Sequence, residues 1–337
     1  MPYEPICIKK NMRRMWIVLP WMMLGLLRCF SDAERDNPLD TKSPSYRAIG
    51  NIRGTVTRFY SPFEPISGAQ VSLQSPQWAT ITGTEGDFLF QAAPIGMWLL
   101  RANKAGYAAD SVNIEVQVGQ VAEAILRLDA LPVFQSASVI SSHISRWWPT
   151  DDLYFAEFKA KAYDPDEPQT VIFVDVMIPD LGVVDSLIFN TANMQFEGNL
   201  NQTVLPDGNL QSLLGREIIF QARDRRLMRN TSAPIYLARI INETPVADTP
   251  QGLQTFIPPD TLQWQPMFLP FDFSYAVEVV RFDAGISTPV WSRKNISATE
   301  TITLTEQLPT GTYFWTVSVV DEFGNRSRSR EASFLVP

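Results

Sequence analysis

Over most of this chain, hydrophobic and polar positions alternate in short runs. Val112, Ile114, Val116 and Val118 are separated by single polar residues, so one face of an extended segment is apolar. The same two-residue period runs through Phe155 to Tyr163 and through Tyr275 to Val279, and more briefly through Ile52 to Val56. Gly, Pro, Asn and Asp clusters break these runs about every eight to twelve residues, the spacing of short strands joined by turns. No long segment keeps the 3.6-residue period of an amphipathic helix. The pattern predicts an all-β protein of packed sheets, and the 25 prolines suit edge strands and junctions better than helices.

The runs group into three tandem β-sandwich domains, at 49–131, 132–243 and 244–337, behind an N-terminal signal or anchor segment. Hydrophobic residues make up 45% of the 337 positions and charged residues 19%, enough apolar material for two or three cores. The last two domains echo each other. Gly215 to Asp224 followed by Asn230-Thr231-Ser232 parallels Gly311 to Asp321 followed by Gly324-Asn325-Arg326-Ser327, which suggests a repeat of one sandwich type. Trp78, Trp98, Trp264 and Trp315 fall within strand-like segments and are expected in cores.

In the first domain, Gly54-x-Val56, Pro65-x-x-Gly68-Ala69-x-Val71, Thr84-x-x-Gly86-x-Phe88 and Gly106-Tyr107 together resemble the carboxypeptidase regulatory-like domain. That resemblance implies a transthyretin-like seven-stranded sandwich without peptidase chemistry. The second domain, with Ala162-Tyr163-Asp164-Pro165-Asp166 after a strand, resembles bacterial immunoglobulin-like domains. In the third, Trp264 early and Tyr313 after Leu308-Pro309-Thr310-Gly311 resemble fibronectin type III domains, which implies a tyrosine corner at Tyr313.

The N-terminal 28 residues place Arg13 and Arg14 before an apolar run from Met15 to Leu27, the layout of a secretory signal peptide. The run ends at Cys29, and Cys29 with the polar tether at 29–48 resembles the lipidation site of Gram-negative surface lipoproteins. The resemblance implies an anchor in the outer membrane and a location in the cell envelope, facing periplasm or exterior. Arg28 stands where that family places a small residue, so cleavage after Ala33 or a retained anchor are the alternatives.

Charge and residue inventory narrow the function further. The formal charge of −8 becomes more negative without the leader, whose five basic groups face only Glu4, and such a body is a poor partner for nucleic acid. Cys7 and Cys29 both precede the domains, so no disulfide or Cys-based zinc site can lie within them. His143 is the single histidine, and it is read as a surface or junction residue. The carboxylate pairs Asp151-Asp152, Asp164 with Asp166, and Asp321-Glu322 all sit in expected turns, where Asp is favoured for its bonds to the backbone. No enzymatic activity or cofactor is expected. Asp164, Asp166 and Glu167 could supply hard oxygen ligands to calcium, the one metal considered. Trp147 and Trp148 are candidates for stacking on a ligand or, alternatively, for sealing the junction of the first and second domains.

These features lead to the expectation of a non-catalytic cell-surface lipoprotein that serves as a structural or adhesive scaffold, membrane-bound through an N-terminal lipid. The alternatives are a carbohydrate-binding accessory protein of a polysaccharide-uptake system, and a stalk or assembly factor docking to an outer-membrane complex. Mass spectrometry of the mature protein tests the anchor: the expected N-terminus is an acylated Cys29, and an unmodified chain starting at Glu34 would contradict it.

Overall fold

The computed structural model describes residues 40–43, 46–73, 75–166, 171–297 and 300–337. The expected signal peptide, Cys29 and most of the tether lie outside them, and no helix among the described residues is long and apolar enough to cross a membrane. The regular structure is almost wholly β, interrupted by three short 3-10 turns. The chain divides into two compact units, one of Met1–Thr57, Phe63–Lys104 and Ala109–Leu128, the other of Arg58–Pro62, Ala105–Ala108 and Asp129–Pro337.

The strands up to residue 130 are β1 (Ile49–Arg58), β2 (Gln70–Leu73), β3 (Ser75–Ile81), β4 (Asp87–Pro94), β5 (Gly96–Asn103), β6 (Tyr107–Ala108), β7 (Asp110–Val116) and β8 (Val121–Ala130). They form two four-stranded sheets, ordered β4-β1-β8-β6 and β3-β2-β5-β7. Alternation sends Ile52, Val56, Phe88, Phe90, Leu126 and Leu128 inward from the first sheet, and Val71, Leu73, Leu100, Ile114 and Val116 inward from the second. The apolar face predicted at Val112 to Val118 is therefore real at its centre, while Val112 and Val118 at its ends remain exposed. Trp78, expected in the core, is 41% exposed on β3, at the edge of its sheet. An edge strand has a neighbour on one side only, so strand character alone does not bury it.

Two motif glycines have steric causes. A methyl group on Gly54 would lie 2.1 Å from the Ala124 carbonyl oxygen and 2.6 Å from the Phe88 ring. Gly86 turns the chain at φ +70°, and a methyl there would meet the Val56 carbonyl oxygen at 2.4 Å.

The second unit continues with β9 (Val133–Ile144), β10 (Leu153–Tyr163), β11 (Phe173–Ile178), β12 (Val183–Asn190), β13 (Gln195–Asn201), β14 (Ile219–Arg223) and β15 (Arg229–Thr231). These strands surround a core of Phe158, Val174, Val176, Phe196, Leu200 and Phe220. β12 belongs to both faces of this sandwich, since Val183–Leu187 pair with β11 and Ile188–Asn190 with β13. Then come β16 (Ala247–Thr249), β17 (Gln254–Thr255), β18 (Asp260–Trp264), β19 (Phe273–Asp283), β20 (Ile286–Ile296), β21 (Thr301–Leu304), β22 (Gly311–Asp321), β23 (Arg326–Arg328) and β24 (Ala332–Val336). A three-stranded sheet, β16-β18-β21, belongs to this region, while β20-β19-β22, with β24 and then β17 beside β22, continue through β23 into β9 and the strands before it as one thirteen-stranded sheet. A second core contains Leu262, Trp264, Tyr275, Val277, Tyr313, Trp315 and Phe334. The Tyr313 ring is fully buried and its hydroxyl donates to the Pro309 carbonyl at 2.6 Å, the predicted tyrosine corner.

The suspected repeat recurs at its Asp turn, in a different register from the expected one: Met228, not Asn230, stands opposite Asn325, and Ser232 stands opposite Ser329. The Asp224 backbone N–H donates to Met228 O and Oδ1 accepts from Met228 N, while Asp321 makes the same pair with Asn325. One turn later Ser232 exchanges bonds with Phe220 and caps Ala233 O, as Ser329 does with Val317 and Arg330 O. Leu227 takes a left-handed φ of 63° where the second copy has Gly324 at 90°.

The copies differ at the second carboxylate oxygen. Asp321 Oδ2 accepts from Asn325 Nδ2 at 3.0 Å and from Arg239 at 2.9 Å. In the first copy Met228 stands in place of Asn325, and the buried Asp224 Oδ2 has no hydrogen-bond partner among the described residues. Asp129 is also buried, its Oδ1 likewise unbonded and its Oδ2 3.4 Å from Arg226. Burial first, then the charge of Asp224, pushes the Asp129 carboxyl up from 3.8 to about 6. The folded state thus holds a proton that the unfolded chain releases, so ionised Asp129 costs stability above about pH 6 and the cost disappears as pH falls toward 4. Asp129→Asn should raise the melting temperature at about pH 7.5, with a gain that shrinks toward about pH 4.5. A gain that grew on acidification, or none at the higher pH, would contradict this assignment.

Candidate functional site

The β22–β23 turn brings polar groups against the end of β9. β23 runs parallel to β9, pairing Arg326, Ser327 and Arg328 with Ser142, His143 and Ile144. A three-residue strand supplies few ladder bonds, and side chains supply the remainder. Asn325 Oδ1 accepts from the Ser141 N–H at 2.8 Å, and the Ser141 hydroxyl donates to Arg239 O at 2.8 Å. Arg239 reaches Asp321 and both oxygens of Glu322, and its guanidinium lies over Phe271 at 3.9 Å. The Arg239 contact holds the Glu322 carboxyl below its ordinary range. Arg326 bonds Ser142 and Glu157.

His143 lies inside this seam, 2% exposed and stacked on Tyr154 at 4.0 Å. Ser327 Oγ is 3.1 Å from its Nδ1 and Asp152 Oδ2 is 3.0 Å from its Nε2, the residue types of a hydrolytic triad. The Ile241 carbonyl also faces Nδ1, at 3.1 Å. Ser327 thus shares Nδ1 with a backbone oxygen. Ser327 is fully buried as well. The arrangement joins β23 to the end of β9.

Beside the seam, within the same unit, an open cleft of about 950 Å³ is lined by Trp147, Asp152, Thr244, Gln251, Phe314, Arg330, Glu331 and Ser333, among others. Trp147 is 63% exposed yet fixed: its indole N–H donates to Glu331 O at 2.8 Å, and Arg330 stands over the ring at 5.0 Å. Trp148 is 83% exposed. The indole bond fastens Trp147 to the chain just before β24. Asp152 is committed to His143 and Ser145, and Glu331 to Arg328.

The acidic residues considered for calcium have bonds of their own. Asp164 is fully buried and its Oδ1 accepts from the Asp166 N–H at 2.9 Å. Asp166 Oδ2 accepts from the Ala130 N–H at 2.8 Å and its carboxylate faces Arg58 at 3.5 Å. Glu167 lies outside the described residues. Among the described residues no group of three or more His, Cys, Asp or Glu is arranged to hold a metal ion. Sequence reasoning missed Thr244, Gln251, Arg330 and Glu331, which approach Trp147 only through the fold. It also missed the seam, although the polar run Ser141-Ser142-His143 at the end of β9 was a signal.

A search of curated proteins found no match. Among solved structures, the chain is similar to the Bacillus anthracis TIE protein at 11% identity and a TM-score of 0.25, over 86% of this chain and 49% of that one, so it spans about half that protein's length. It is similar to three fibronectin-type domains of chicken CNTN1 (FN1–FN3) at 11% identity and a TM-score of 0.30, over 81% and 91% of the two chains. It is also similar to a putative carbohydrate binding protein from Bacteroides uniformis at 10% identity and a TM-score of 0.23, over 57% and 100%. Residues 51–129 match the family model of the carboxypeptidase regulatory-like domain, whose motifs Gly54 and Gly86 serve sterically. The chain thus holds a segment that matches the carboxypeptidase regulatory-like domain, followed by further β-sheet structure that includes a tyrosine corner of the kind seen in fibronectin type III domains.

Proposed function

We propose that this protein is a non-catalytic, surface-anchored binding scaffold, held to the outer membrane by a lipid on Cys29, with its sandwiches carrying an adhesive face outward. One observation carries the reading: Trp147 is exposed with its indole N–H held by Glu331 O, Trp148 is exposed beside it, and the nearby carboxylates of Asp152 and Glu331 are bonded to other side chains. Apolar rings left in water while their backbone is fixed are a feature of binding surfaces, where aromatic anchors supply much of the energy. The seam supports the same reading, because its Ser, His and Asp are spent on holding two cores together. The acidic body favours partners other than nucleic acid.

The test uses the full chain displayed on its own cells and on beads. Protease added to intact cells should cut the chain, and coated beads should adhere to mucin, polysaccharide or the producing cells at least about threefold above albumin-coated beads. A chain protected until the outer membrane is permeabilised, together with beads that adhere to none of these surfaces, would overturn the proposal.

A further inference from the structure

The cleft beside Trp147 combines a flat aromatic surface with hydrogen-bonding groups, carboxylates already bonded to other side chains, and a single arginine lying over the ring. Its carboxylates are occupied, Asp152 by His143 and Ser145 and Glu331 by Arg328. Its one cation, Arg330, lies over the indole ring. An anionic ligand would have to draw Arg330, the cleft's one cation, away from the indole ring, and a cationic ligand would compete with existing pairs for each carboxylate. What remains is neutral. The Thr244 hydroxyl and the Gln251 amide line the cleft, and among the described residues neither has a hydrogen-bond partner. The Trp147 ring supplies an apolar surface pinned by its bond to Glu331 O, so little ordering is left to pay on binding.

A ligand that uses both kinds of group must present apolar C–H faces and many hydroxyls without net charge. Sugar rings do both. We propose that this cleft binds a neutral oligosaccharide, with one ring against Trp147 and its hydroxyls on Thr244 and Gln251. The volume of about 950 Å³ lies at the upper end for small-ligand sites, and the open form suits a length of chain passing through rather than a closed monosaccharide pocket. Trp148, 83% exposed and adjacent in sequence, gives a second aromatic surface outside the cleft. The inference rests on the reading of the protein as a binding scaffold and names the ligand of that scaffold.

The experiment titrates the full-length chain in detergent with neutral linear hexasaccharides of glucose, xylose and mannose, following heat release and tryptophan fluorescence. At least one should bind saturably. Trp147→Ala should weaken that binding about tenfold or more, Gln251→Ala by about threefold, and Trp78→Ala, at an exposed tryptophan in the other unit, should leave it unchanged. Melting curves check that each variant is folded, and Trp147→Phe, which keeps a flat ring, should recover part of the affinity. No binding of any hexasaccharide, or equal binding by wild type and Trp147→Ala, overturns the proposal. Bead adherence that persists while hexasaccharides fail to bind or compete leaves the scaffold reading standing and removes only the glycan assignment. Loss of both removes both.

Discussion

The parallel contact of β23 with β9 governs the second unit, because it forces a polar strand end into the interior. Ser141, Ser142 and His143 are nearly inaccessible to solvent, as are Asn325 and Ser327 opposite them. Each of these groups would cost about 1–3 kcal/mol if buried without a partner, against a net gain of about 1 kcal/mol when bonded. Their bonds therefore contribute less by attraction than by permitting one register only. A shift of β23 by one residue would separate Asn325 from the Ser141 N–H and Ser327 from His143.

The two copies of the Asp turn show how one local structure serves two settings. Both use the carboxylate to accept backbone N–H groups at the corner, which the backbone requires in either sandwich. In the second copy Asn325 and Arg239 complete the carboxylate. In the first, Met228 leaves an oxygen of Asp224 unbonded, and burial, followed by the charge of Asp224, pushes the neighbouring Asp129 carboxyl upward.

The all-β character was legible because alternation is a direct record of a pleated surface with one wet face, as at Ile52 to Val56 and Tyr275 to Val279. The Tyr313 corner and the turn at Gly86 were equally legible, since local motifs fix them, whereas the need for Gly54 was not, since the Ala124 carbonyl and Phe88 ring that crowd it come from distant strands. Trp78 was misread because an edge strand and a central strand share the same pattern. His143 was legible as a junction residue, but its companions were not: Asp152 comes from the following strand's approach, Ile241 from a linker and Ser327 from near the C-terminus. The cleft was half legible. Trp147 and Trp148 were visible as candidates, whereas Thr244, Gln251 and Arg330 join them only after β23 has docked on β9.

That docking makes the two cores of the second unit a single structural element, and the cleft exists only as long as it holds. Pulsed hydrogen exchange across a urea series, read by mass spectrometry on peptides containing Phe158 and Trp315, tests this most directly. The account predicts that both peptides lose protection at the same urea concentration. Two separate midpoints, with either core surviving the loss of the other, would contradict it.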